Sequence, residues 1–256
     1  MNVLLTNDDG IYANGLWELY KCFYGKHKVT VIAPDRERSA VSHGITIRDP
    51  LRANLIEVCD GYVGYAVNGT PADCVKLGIL EILKSKPDIV ISGINPGANV
   101  EINIHYSGTV AAAKEAALFG IPSIAVSIEE YNAMHYEDAA CFVKSLTDLV
   151  FEKGMPFGTF LNVNIPDKPK NKISGIIISR QGTKRQTMRF DKRIDPRSTN
   201  YYWLGYDNYT FEGNIEVDGD ALMSNYISIT PLKCDMTDYA MLQTLTQWEI
   251  NSIVGN

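Results

Sequence analysis

At 256 residues and a net charge of −6, the chain can bury a full core in one large domain, and it lacks the basic excess that general nucleic-acid binders turn toward phosphate. Hydrophobic residues at 45% and charged residues at 21% are ordinary globular proportions, and no apolar run approaches the roughly 20 residues that span a bilayer. Cys22, Cys59, Cys74, Cys141 and Cys234 lack the close spacing of disulfide frameworks and zinc sites, and the apolar run at the N-terminus is too short for a signal peptide. Reduced thiols and a cytoplasmic protein are expected.

Residues 2–6 read as a compact apolar strand, and Leu16, Leu19, Tyr20 and Phe23 follow at helical spacing. Residues 28–33 are a second strand, stopped by Pro34. Thr70-Pro71 opens a helix with a hydroxyl cap and a proline whose missing N–H does no harm, and Asp73 adds negative charge to its first turn. Residues 89–91 are a short apolar strand, 109–119 an alanine-rich helix ended by Gly120 and Pro122, and 123–126 another strand. The helix at 136–151 carries Ala139, Phe142, Val143, Leu146 and Val150 on one face. Strict alternation of strand and helix predicts a parallel sheet covered on both faces, with ligands at the carboxyl ends of its strands.

The second half differs. From about residue 168 Lys, Arg, Tyr and Asn increase, with short β-like runs at 175–179 and 201–206. The expected organisation is one domain with a core over about 1–167 and 210–232, an oligomerisation arm over about 168–209 and a C-terminal helix over about 238–252.

The strand-end rule directs attention to the loops after Thr6, Ala33 and Ile91. Leu5-Thr6-Asn7-Asp8-Asp9-Gly10 sets two carboxylates at a strand's end, in a segment that Asn7 and Gly10 allow to turn. Two close carboxylates repel unless one is protonated or a cation lies between them, and hard divalent ions favour oxygen ligands. A solvated turn would use the same residues; their place after the first strand favours a site. A receiver domain would also need an aspartate ending a later strand, and here Ser92-Gly93 follows residues 89–91; haloacid-dehalogenase phosphatases separate their two aspartates by one residue.

In the second loop Ser39 offers a neutral oxygen, Arg36 or Arg38 a partner for phosphate, and His43 either a general acid or a structural hydrogen bond. In the third, the amide oxygen of Asn95 suits a hard cation. Ser107-Gly108-Thr109 then opens a helix whose N–H groups and dipole make an anion seat, although plain capping also explains the two hydroxyls. Together these residues form a metal–phosphate constellation suited to hydrolysis of a phosphomonoester.

The ordered runs Leu5-Thr6-Asn7-Asp8-Asp9-Gly10, Arg38-Ser39-Ala40 with Ser42-His43, Asn68-Gly69-Thr70-Pro71-Ala72-Asp73-Cys74-Val75, Ser92-Gly93-Ile94-Asn95, Tyr106-Ser107-Gly108-Thr109-Val110 and Gly120-Ile121-Pro122-Ser123 resemble the SurE family of stationary-phase survival proteins. The resemblance implies a three-layer α/β/α Rossmann-like sandwich that forms homodimers or homotetramers through exchanged C-terminal segments. It implies a metal-dependent 5′-nucleotidase that hydrolyses nucleoside 5′-monophosphates, often 3′-monophosphates, and in some members short-chain polyphosphate. Asp8, Asp9, Ser39 and Asn95 would hold one divalent ion per subunit, Mg²⁺ or Mn²⁺, with Asp8 and Asp9 catalytic. Asn95, Ser107, Gly108 and Thr109 would bind substrate. Pro96 and Glu101 depart from the family pattern, and Glu101 is expected to add charge near the site. A non-catalytic, metal-dependent nucleotide sensor is the alternative.

Overall fold

The computed structural model describes residues 1–59, 61–183, 188–206, 213–248, 250 and 253. Its centre is β1 (Asn2–Thr6), whose last four residues are buried because the strand is covered on both faces. Successive side chains divide between those faces. Leu5 joins Leu16, Leu19, Phe23, Val31, Ile91, Val126, Ala140 and Val143 in one core, while Leu4 joins Ile32, Val67, Cys74, Val75, Val90, Ala112 and Ala116 in the other. Truncating fully buried Phe23 to alanine should cost about 3–5 kcal/mol.

The parallel strands are β2 (Lys28–Pro34) and β5 (Ile89–Pro96) on either side of β1, then β6 (Ser123–Ile128) and β7 (Thr159–Ile165). The helices α1 (Asn14–Phe23) and α4 (Tyr136–Lys153) pack together on one face, and α2 (Pro71–Leu77) and α3 (Gly108–Leu118) on the other. The helix start at Thr70 is a full capping box: Asp73 N–H donates to Thr70 Oγ1 at 3.1 Å, and Thr70 N–H donates to Asp73 Oδ2 at 2.9 Å.

The sheet is mixed rather than all-parallel. β3 (Ala53–Cys59) runs antiparallel to β4 (Tyr62–Val67) at one edge. At the other, β11 (Tyr226–Lys233) runs antiparallel to β7 and parallel to β8 (Gly175–Ile178). The full order is β3-β4-β2-β1-β5-β6-β7-β11-β8. β8 therefore extends the main sheet from within the segment expected as an arm. β9 (Met188–Ile194) and β10 (Asn200–Tyr206) pair as a separate antiparallel ribbon. The short α5 (Asp218–Met223) packs on β11, and α6 (Tyr239–Thr246) is exposed along its length. Among the described residues no helix is long and apolar enough to cross a membrane. The expected arm and C-terminal helix also cover 184–187, 207–209, 249, 251 and 252, and the expected core 210–212, which lie outside the described residues.

The chain leaves β1 toward β2 on one side and returns to β5 on the other. The strand order thus reverses at β1, and the crevice beyond its carboxyl end is where such sheets hold ligands.

Candidate active site

The turn after β1 closes on itself. Asn7 Nδ2 donates to the Gly10 carbonyl at 2.9 Å, and Gly10 N–H donates to Asn7 Oδ1 at 3.2 Å. Gly10 has φ +97°, and a Cβ there would lie 2.9 Å from the Arg36 carbonyl carbon, so both the turn and the loop above it require glycine. That second loop is pinned to the first. Arg38 N–H donates to the Asp8 carbonyl at 2.7 Å, and Ile11 N–H donates to the Pro34 carbonyl at 2.8 Å. It is pinned to the third segment as well, since Ser42 N–H donates to the Tyr106 carbonyl at 2.9 Å and Ser42 Oγ to the His105 carbonyl at 2.7 Å.

The start of α3 lies directly against Asp8. Thr109 Oγ1 donates to Asp8 Oδ1 at 2.5 Å, and a Cβ on Gly108 would sit 2.8 Å from Asp8 Cβ. Burial pushes the Asp8 carboxyl pKa up, against the hydrogen bond from Thr109 and the N–H groups of Thr109 and Gly108, and the balance remains raised. Asp9 is pushed up to about 8, by burial first, then by the charges of Asp8 and Glu37. Its Oδ2 is buried without a hydrogen-bond partner. An orphaned buried oxygen beside a second carboxylate is a site short of positive charge, and a hard dication suits that donor set.

Neutral oxygens would complete such a site, because no group of three His, Cys, Asp or Glu side chains among the described residues can hold a metal ion. Asn95 lies near the end of β5, three residues beyond Ser92, which pairs with Thr6 at the end of β1. Its Nδ2 donates to the Gly97 carbonyl at 2.6 Å, which leaves Oδ1 for another partner. Ser39 is exposed and donates its hydroxyl to Glu37 Oε1 at 2.6 Å, so its lone pairs remain for a cation while its present bond turns it to Glu37. Ser107 is the N-cap of α3 and accepts from Val110 N–H at 3.2 Å. Asp8, Gly108 and Thr109 are thus brought into direct contact, whereas Ser39 and Asn95 bond within their own loops. The Thr109 hydroxyl gives its hydrogen to Asp8, and the N–H groups of Thr109 and Gly108 also face that carboxylate, so Asp8 itself occupies donors expected to seat an anion.

Several neighbouring residues behave differently from the sequence expectation. His43 Nε2 lies 2.7 Å from Glu115 Oε2, a carboxylate that Lys76 Nζ also approaches at 3.1 Å. This is the structural alternative for His43. Arg38 Nη2 donates to the Asn68 carbonyl at 2.9 Å. Glu101 is buried with its N–H donating to Asp218 Oδ2 at 2.9 Å and its side chain beside Gly182 and Gly219, so its charge falls at the start of α5. Residues not singled out beforehand hold the third loop: Asn164 Oδ1 accepts from Asn99 N–H at 2.8 Å, and Asn162 Nδ2 donates to the Asn99 carbonyl at 2.8 Å. Their signal was present, because residues two apart on a strand share a face and two buried amides there need partners.

Comparison with known proteins places nearly the whole chain in one family. The family model described as survival protein SurE matches residues 3–188. A protein of Desulfatibacillum aliphaticivorans named 5′-nucleotidase SurE is 52% identical over 98% of this chain and 99% of its own length. One of the same name from Syntrophobacter fumaroxidans is 46% identical over 98% of this chain and 100% of its own. The crystal structure of the SurE protein from Aquifex aeolicus superposes with a TM-score of 0.82 at 37% identity, covering 96% of this chain and 98% of that one. With the family model matched over residues 3–188 and relatives of that name 46–52% identical over 98% of its length, the chain belongs to the SurE family.

Proposed function

We propose that this chain is a divalent-metal-dependent 5′-nucleotidase that hydrolyses nucleoside 5′-monophosphates to nucleoside and phosphate, with 3′-monophosphates and short-chain polyphosphate as further substrates. The observation that carries the metal dependence is the Asp8–Asp9 pair, with Asp8 buried and Asp9 half-buried, its Oδ2 out of solvent and lacking a partner. The names of the full-length relatives support the nucleotidase activity.

Asp8, Asp9, Ser39 and Asn95 would hold one Mg²⁺ or Mn²⁺ per subunit. When bound, such an ion supplies positive charge against the phosphoryl oxygens and makes a neighbouring water more acidic. Asp8 enters the reaction already oriented, its carboxylate fixed by Thr109 and backed by the α3 N-terminus. Asp9 would offer its unpartnered Oδ2 to the ion and its other carboxylate oxygen to the proton of the attacking water. Substrate phosphate enters beside Ser107, Gly108 and Thr109. There the dipole of α3 would oppose the charge spread over the equatorial oxygens. A cytoplasmic homodimer or homotetramer, joined through the ribbon and C-terminal helix, accords with the apolar side chains exposed there.

Purified protein should release phosphate from AMP, GMP or p-nitrophenyl phosphate with Mn²⁺ or Mg²⁺ and stop when EDTA is added. Turnover that ignores EDTA would contradict the metal dependence. Tight nucleotide binding without turnover under any metal would make the chain a sensor instead.

A further inference from the structure

The cysteines are scattered in sequence, but α1 and α4 bring two of them together. Cys22 Sγ and Cys141 Sγ, 119 residues apart along the chain, lie 3.8 Å from one another. Cys141 is exposed and Cys22 half-buried, so solvent reaches the pair through Cys141. A disulfide needs its sulfurs about 2.05 Å apart, so the thiols must close by about 2 Å, within the range of side-chain rotation. Neither cysteine takes part in the proposed hydrolysis.

We propose that Cys22 and Cys141 form a redox modification site, at which a peroxide converts the two thiols into an intramolecular disulfide joining α1 to α4. The Cys141 sulfur attacks one peroxide oxygen, breaking the O–O bond and leaving a sulfenic acid and one water. The Cys22 sulfur then attacks the Cys141 sulfur, and the sulfenic hydroxyl leaves with the Cys22 proton as a second water. In sum, two thiols and one hydrogen peroxide give one disulfide and two waters. The sulfurs lose the two electrons that the peroxide oxygens gain.

Environment sets the order of events. Burial, the contact with Cys141 and the charges of Glu18 and Glu137 push the Cys22 thiol up to about 12. Cys22 is therefore the resolving partner, and closure should quicken as pH rises.

The staple would join two elements that flank the acidic turn. α1 begins so close to the strand before Asn95 that a Cβ on Gly15 would overlap the Ile94 carbonyl. α4 begins at Tyr136, whose hydroxyl pKa is raised by burial and then by the charge of Asp9.

The test treats the full-length protein with hydrogen peroxide and maps its peptides without reduction. The expected product is one Cys22–Cys141 cross-linked peptide and a mass loss of two hydrogens per chain. Dithiothreitol should reverse it, and the melting temperature should rise by about 5 °C while it lasts. Cys22→Ser should stop the reaction at a Cys141 sulfenic acid that dimedone traps, and Cys141→Ser should leave Cys22 unmodified. Over-oxidation of Cys141 in the unaltered protein without the cross-link, or a cross-link to another cysteine or another chain, would overturn the proposal.

Discussion

The acidic turn and the β9–β10 ribbon with α6 solve opposite problems. At the turn, most polar groups are answered from within the chain, Asn7 by Gly10, Asp8 by Thr109 and Arg38, Ser42 by His105 and Tyr106, and Asp9 Oδ2 alone of the acidic pair's described oxygens is buried without a partner. In the ribbon and the C-terminal helix, large apolar side chains face outward, with Phe190 68%, Trp203 62% and Tyr239 64% exposed. Exposed apolar patches are where partners dock, which accords with the association proposed above. With the proposed association, the contrast would make chemistry and association separable here. One chain's own hydrogen bonds assemble the acidic turn, while the apolar surface calls for something beyond the chain.

The comparison is broken most sharply at Asp9. Asp9→Asn should lower kcat/KM on the order of 10³-fold, because it removes a charge the ion requires. The melting temperature of the metal-free protein should not fall, since a desolvated and repelled charge is also removed. Unfolding of this variant in a thermal melt would mean that the turn is structural. Gly108→Ala comes next. Its Cβ would meet Asp8 at 2.8 Å, so a loss of about 100-fold in kcat and about 1–3 kcal/mol in stability is expected from steady-state kinetics and urea titration.

Ser107→Ala removes the N-cap of α3 but leaves the backbone donors. It should cost about 1 kcal/mol and about tenfold in KM, the latter checked with AMP. Trp203→Ser on the ribbon should change the oligomer seen by light scattering and leave the Mn²⁺ stoichiometry per chain untouched. Altered metal binding in that variant would erase the separation.

The smallest effect concerns acid. Burial pushes the Glu115 pKa up, yet hydrogen bonds from His43 and Lys76 outweigh it and hold the carboxyl below its usual value. A depressed carboxyl stabilises the fold above its unfolded pKa and loses that contribution as pH falls through the folded value. Glu115→Gln should therefore flatten the stability curve below about pH 4.5 and leave the Asp8–Asp9 site unaffected.

Local chemistry was legible in the sequence, and long-range chemistry less so. Thr70-Pro71 with Asp73 announces a capping box because all its partners lie within one helical turn. The acidic turn after β1 and the start of α3 were readable for the same reason. β3 was not, because as an edge strand it has no fully buried residue among those described and lacks a continuous apolar run. The antiparallel β7–β11 pairing, which makes the sheet mixed, joins segments more than sixty residues apart, and alternation of elements alone does not encode strand direction. At the site, the Thr109 hydroxyl reads as a phosphate donor until its partner 101 residues away is known to be Asp8. Glu101 is similar: the sequence places its charge in the third loop, but the left-handed backbone at φ +53° and the glycines at 182 and 219 accommodate it beside Asp218.

Mn²⁺ titration of EDTA-treated protein, followed by the loss of free-ion paramagnetic resonance signal, tests the strand-end cage without relying on turnover. The unaltered chain should take up one ion, and Asp9→Asn should take up almost none at the same concentrations. Equal uptake by both proteins, or none by either, would contradict a dication held between Asp8 and Asp9.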